Sequence, residues 1–263
     1  MKKKIIMTLA ILSFWAVYYL QNHYNQQPDT SKEQAAESAT KPKAPMPVDD
    51  IHLKKQKFFD ALRPGIAKEN ARVLEERHDL LEIKKQFEDG DLSSVPSKAK
   101  QLAEDYELAI PETGINEAWL DTMLNRVNVL PQSLVLTQAA NESAWGTSRF
   151  AKEGNNFFGQ WCYVEGCGLV PLHRVEGATH EVAKFDSPQQ SIHAYFMNVN
   201  RNNAYKELRD IRAKLAANEQ DLKSQATALE LTNGLLSYSE RGQDYVDDLQ
   251  SMIKHNSEFW TDK

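Results

Sequence analysis

The chain has 263 residues and a mass of 30.0 kDa, room for one large domain or two small ones. Lys plus Arg is 31 and Asp plus Glu is 37, so the formal charge is 31 − 37 = −6, which argues against a basic track for nucleic acid; 41% hydrophobic residues exclude wholesale disorder. Only two cysteines occur, which excludes a disulfide-dense scaffold and a zinc site built from four cysteines.

Lys2, Lys3 and Lys4 precede an uncharged apolar run from Ile5 to Leu20, the pattern of an export signal. No small-x-small cleavage site closes it, so the expectation is a signal-anchor holding residues 5–20 in the inner membrane, with a cleaved signal peptide as the alternative. Either way the rest is exported and carries 28 − 37 = −9. Residues 21–48 are polar and hold Pro28, Pro42, Pro45 and Pro47, the composition of a disordered linker.

Residues 49–110 read as a charged helical segment. Phe58, Phe59 and Leu62 form one apolar group, a helix follows between Pro64 and Asp89, and another spans Ser97 to Glu107. A protein partner for this segment is left unassigned. From 111 to 263 a second unit is expected. Asn116 is placed to cap a helix over Ile115–Val129, and Pro131 to start one that runs to about Ser143. A short helix, Ser148–Glu153, ends at Gly154. Residues 155–187 are glycine-rich, with strand-like pieces at Leu169-Val170 and Glu181–Phe185. Ser187-Pro188 starts the next helix, and others follow at Ala204–Ala217, Leu222–Leu236 and Asp244–Ile253. The expected fold is mainly α with a small β-lobe.

The run Gln138-Ala-Ala-Asn-Glu142-Ser-Ala-Trp-Gly146 places a carboxylate in the last turn of an apolar helix. The negative end of the helix dipole and the water-excluding Ala140, Ala144 and Trp145 both disfavour ionisation there. An acid kept protonated near neutral pH is the proton donor that a glycosidic oxygen needs as its bond breaks.

Ala139-Ala-Asn-Glu142-Ser-Ala-Trp-Gly-Thr-Ser148 resembles the acid motif of the peptidoglycan glucosaminidases, including the flagellar-rod type. Asn155-Asn-Phe-Phe-Gly159 and Phe185-Asp-Ser-Pro-Gln-Gln-Ser191 resemble two further stretches of that family. Trp161-Cys-Tyr-Val-Glu-Gly-Cys-Gly168 and Tyr238-Ser-Glu-Arg-Gly-Gln-Asp-Tyr245 are similar to the bacterial Bax subfamily within it. The resemblance covers about 115–255. It implies a lysozyme-like α+β domain that hydrolyses the β-1,4 bond after N-acetylglucosamine in peptidoglycan glycan strands, with no cofactor and no metal.

The resemblance carries Glu142 over as general acid, Glu181 as the second carboxylate with Glu176 as the alternative, and Tyr238 as the tyrosine beside the acid with Tyr205 second. It further implies Trp145, Asn155, Asn156, Phe158 and Tyr205 as substrate-binding residues. In an exported chain Cys162 and Cys167 are expected to pair, stiffening one wall of the cleft; zinc is the weaker alternative, since two sulfurs supply half a site. The expected location is the periplasm, anchored to the inner membrane. Two other functions remain open. One is a muramidase or lytic transglycosylase, against which the Asn155-Asn-Phe-Phe-Gly159 run argues. The other is a tethered, non-catalytic glycan-binding scaffold.

Overall fold

The computed structural model describes residues 48–172, 174, 177, 179–236 and 238–260. The expected signal-anchor, the expected linker up to residue 47 and Glu176 lie outside the described residues. Among the described residues no helix is long and apolar enough to cross a membrane.

The first element, α1 (Val48–Glu88), runs unbroken through Pro64. The expected separate group at Phe58–Leu62 and the helix after Pro64 are therefore one helix. Phe58, Phe59, Leu62, Ile66, Val73, Leu80 and Ile83 recur at spacings of one face, and all are buried. The missing proline N–H is tolerated because packing along this stripe holds the helix on both sides of it. At Gly65 a Cβ would stand 2.6 Å from the Ile192 side chain, so the bare backbone lets α1 cross the later helix that carries Ile192 closely.

Next come α2 (Ser97–Asp105), α3 (Glu117–Arg126), α4 (Gln132–Glu142) and α5 (Arg149–Gly154). Asn116 caps α3 as expected, its side chain accepting from the Trp119 amide at 2.9 Å. Pro131 stands at the start of α4, and Ser148 caps α5. Every residue of α4 from Ser133 to Ala140 is buried, so α4 is the central helix.

A three-stranded antiparallel sheet follows, β1 (Trp161–Cys162), β2 (Gly168–Leu169) and β3 (Glu181–Ala183), in the order β1-β3-β2. Trp161 pairs with Val182, Cys162 with Glu181 and Gly168 with Ala183. Gly168 is required: a Cβ there would lie 2.0 Å from the Val182 carbonyl oxygen. Strand β1 carries no strong sequence signal and is held by the Cys162–Cys167 disulfide and by pairing with β3.

The chain ends with α6 (Pro188–Arg201), α7 (Lys206–Ala217), α8 (Gln225–Thr232) and α9 (Gln243–His255), with short 3-10 turns between them. Helix α4 packs against both α8 and α9. The fold is mainly α with a small β-lobe. Residues 49–263 form one compact unit, because α1 and α2 contribute to the same core as α3–α9.

Candidate active site

The helix that buries Ser133–Ala140 ends at Glu142, on the wall of an open cavity of about 500 Å³. The opposite walls come from the Phe158–Trp161 turn, from Asn198 on α6 and from Tyr238 to Tyr245. Ala144, Trp145 and Gly146 all take positive φ. Two of them are not glycine, so the chain leaves α4 through a strained turn of the kind that tertiary packing must hold. Trp145 packs edge-on to Phe58 and Phe59 of α1, with ring centroids 5.7 and 5.3 Å away. Its ring thus faces α1 and is absent from the described cavity wall. Ser143 locks the turn from inside, donating to the Ala139 carbonyl at 2.6 Å and accepting from the Gly146 amide at 2.8 Å.

The Glu142 carboxylate is held on one oxygen. Tyr245 donates its hydroxyl to Oε1 at 2.9 Å, and Asn141 donates Nδ2 to the same oxygen at 3.2 Å. Tyr245 in turn accepts from Gln138 Nε2 at 3.2 Å, and Gln138 Oε1 accepts from the Tyr195 hydroxyl. Because Gln138 Nε2 can only donate, the Tyr245 proton is committed to Glu142. Burial, and then the Glu142 carboxylate, push the Tyr245 hydroxyl well above its ordinary range, so it remains a donor at any working pH. Oε2 carries neither of these bonds and faces Gly159, whose backbone at positive φ brings no side chain toward it.

Tyr238 lines the same cavity, but its hydroxyl reaches the Phe158 carbonyl at 3.4 Å. Tyr205 is buried behind it, with ring centroids 5.7 Å apart. Burial raises both hydroxyls. Phe158 is buried in the cavity floor, stacked on Tyr195 at 4.2 Å. Asn155 and Asn156 work from outside the cavity. Asn155 takes the left-handed conformation after α5 and donates to the Phe185 carbonyl at 2.9 Å. Asn156 ties the turn to the sheet, donating to the Gln160 and Ala183 carbonyls at 2.9 and 2.8 Å and accepting from the Phe158 and Gln160 amides.

Glu181 is buried on β3, and its two oxygens accept from the Gly166 and Gly168 amides at 3.1 and 2.8 Å. Those two bonds hold its carboxyl below the usual range. Its place is under the disulfide loop, and it is not on the wall of the Glu142 cavity. Cys162, Cys167 and Glu181 converge within 4.8 Å, but the two sulfurs are bonded to each other. The disulfide marks a chain that matures outside the reducing cytosol.

Residues 118–258 match the family described as Mannosyl-glycoprotein endo-beta-N-acetylglucosaminidase. The chain belongs to the glucosaminidase family. Over 203 residues it is also 32% identical to Protein bax of Escherichia coli (strain K12), an alignment that covers 77% of this chain and 70% of that one. No solved structure matches. Membership in the glucosaminidase family makes this a glycosidase-type domain acting on glycans, and Glu142 is the carboxylate that its cavity presents.

The residues that sequence reasoning missed are Tyr245, Gln138, Tyr195 and Asn141. Tyr245 closes the same run as Tyr238, seven positions on, and nothing local ranks one above the other. Tyr245 reaches Glu142 because α9 begins at Gln243 and turns it inward toward α4.

Proposed function

We propose that this protein hydrolyses the β-1,4 bond after N-acetylglucosamine in peptidoglycan glycan strands, in the periplasm, with Glu142 as general acid. The observation that carries the reading is the one-sided holding of Glu142. With Tyr245 and Asn141 both donating to Oε1, the proton of the neutral acid belongs on Oε2, the oxygen facing Gly159. That proton passes to the glycosidic oxygen as the bond to the anomeric carbon breaks, and the leaving sugar departs as an alcohol.

Among the described residues lining the cavity, Glu142 is the one carboxylate. The group suited to meet the developing positive charge is the substrate's own acetamido oxygen, which closes on the anomeric carbon as a cyclic oxazolinium. Water then attacks that carbon, giving its proton back to Glu142. Trp161, more than half exposed on the cavity wall and stacked on His180 at 4.2 Å, offers an aromatic face to a sugar ring. Glu181 serves the lobe, by fixing the disulfide loop that follows the strand bearing Trp161.

The test is a digest of cell-wall sacculi with the full chain, followed by reduction of the products. New reducing ends at N-acetylglucosamine support the proposal. Anhydro-muramic ends would make the protein a lytic transglycosylase, and sacculus binding without release would make it a scaffold. Glu142→Gln should abolish release while sacculus binding persists; release at the wild-type rate would remove Glu142 from the mechanism.

A further inference from the structure

A second basin adjoins the Glu142 cavity. It has a volume of about 690 Å³ and shares Asn198 with the first. Its character is different. The first is walled by aromatic rings around Glu142, and its one arginine, Arg241, is paired with Asp248, whereas the second is built on Arg126 and Arg201, with Glu107, Tyr163 and Asn202 around them. Arg126 closes α3 and Arg201 closes α6, so two helix ends deliver two guanidiniums to one place.

The chain just after α2 holds both. Arg126 donates Nη1 to the Tyr106 and Glu107 carbonyls at 2.6 and 3.2 Å. Arg201 donates Nη1 to the Asp105 carbonyl at 2.9 Å and meets the Glu107 carboxylate at 3.2 Å. Glu107 stands at positive φ, a backbone position that L side chains rarely adopt, which puts its carbonyl and its carboxylate on these two neighbours. Each arginine is thereby fixed through one nitrogen. Among the described residues, Nε and Nη2 of both forks have no hydrogen-bond partner. Two cations face one carboxylate, so the basin is locally positive in a chain whose net charge is −6.

A neutral sugar gives no reason to keep two guanidiniums together against their repulsion. A carboxylate does, because a fixed guanidinium fork matches its two oxygens. Tyr163, 72% exposed on the disulfide loop, and the amides of Asn198 and Asn202 supply the apolar face and neutral polar groups that accompany such a site. We propose that this basin binds a carboxylate carried by the glycan strand beside the unit being cleaved, so that acid-bearing strands are taken in preference to neutral ones. The inference rests on the proposed glycan-strand substrate and adds a specificity site to it. The carboxylate has two sources on such a strand, the lactyl ether of a peptide-free muramic unit and the acidic residues of an attached peptide.

The test uses the full chain carrying Glu142→Gln, which removes turnover, and titration calorimetry with three probes: a β-1,4 N-acetylglucosamine hexamer, peptide-free glycan strands and peptide-bearing strands. At least one acid-bearing probe should bind about tenfold or more tightly than the hexamer, and which one does so names the source. Adding Arg126→Gln and Arg201→Gln should bring its affinity down to that of the hexamer. Raising salt from about 50 to about 500 mM should weaken the acid-bearing probe selectively, a measurement that needs no arginine variant. Equal binding of all three probes would overturn the inference. So would a preference that survives both arginine substitutions, or one that salt leaves unmoved. Because the readout is binding, a chain that prefers acid-bearing strands but releases nothing from sacculi would refute the hydrolase reading alone.

Discussion

Replacing Tyr245 by Phe removes one oxygen from a buried chain of hydrogen bonds and leaves the ring in place. That oxygen donates to Glu142 Oε1 at 2.9 Å and accepts from Gln138 Nε2 at 3.2 Å. A hydrogen bond to a charged group is worth about 1.5–3 kcal/mol net. At 1.36 kcal/mol per factor of ten, losing it from the transition state lowers kcat/KM roughly 10- to 150-fold. The loss should fall on kcat, because Tyr245 orients the acid, while the faces that meet the sugar remain. Gln138 Nε2 is left with an empty place in the core, which costs about 1 kcal/mol and lowers Tm by about 2–4 °C in a unit of this size. Tyr238→Phe is the matched control, since its hydroxyl bonds two neutral partners, the Phe158 carbonyl at 3.4 Å and the Tyr205 hydroxyl. It should cost less than about threefold, in line with weak neutral bonds. The assay is the initial rate of reducing-end release from sacculi, with thermal melts of each variant. If Tyr238→Phe lost the activity and Tyr245→Phe kept it, the orientation argument would be wrong.

Phe59 is buried against Trp145, Phe259 and Trp260, so Phe59→Ala should cost about 3–5 kcal/mol in denaturant unfolding and lower turnover through the loosened turn after Glu142. A chain begun at residue 111 lacks the α1 face of the core and should show no cooperative unfolding; a sharp transition would mean that 111–263 folds alone. Glu181 is held below its ordinary value of 4.5 by the Gly166 and Gly168 amides. Its stabilisation is therefore full above that value and is lost as pH falls through the lowered one, so Glu181→Gln should melt below the wild type at pH 7 and converge with it in acid. A gap that stays constant with pH would show that these bonds do not depend on ionisation. Reducing Cys162–Cys167 opens a short loop worth about 2 kcal/mol in the chain-entropy model, and a reduced protein with an unchanged melt would refute that account.

The local signals were legible in the sequence wherever the physics is local. Asn116 caps its helix because a side-chain oxygen needs only the amide three residues on, and Pro131 starts α4 because its own ring sets φ. The mainly α pattern, the small glycine-rich lobe and the acid at the end of α4 follow from periodicity and from the motif around Glu142. Tertiary structure decided the rest. Pro64 sits inside α1 because contacts on both sides outweigh one missing bond, a sum that no window of residues contains. Trp145 turns to Phe58 and Phe59, some 85 positions earlier, and Tyr245 reaches Glu142 from 103 positions later. Glu181 and Glu142 are the same residue type, yet one is spent on two glycine amides while the other faces an open cavity. What a carboxylate does depends on which donors surround it, and those donors are brought together only when distant helices pack.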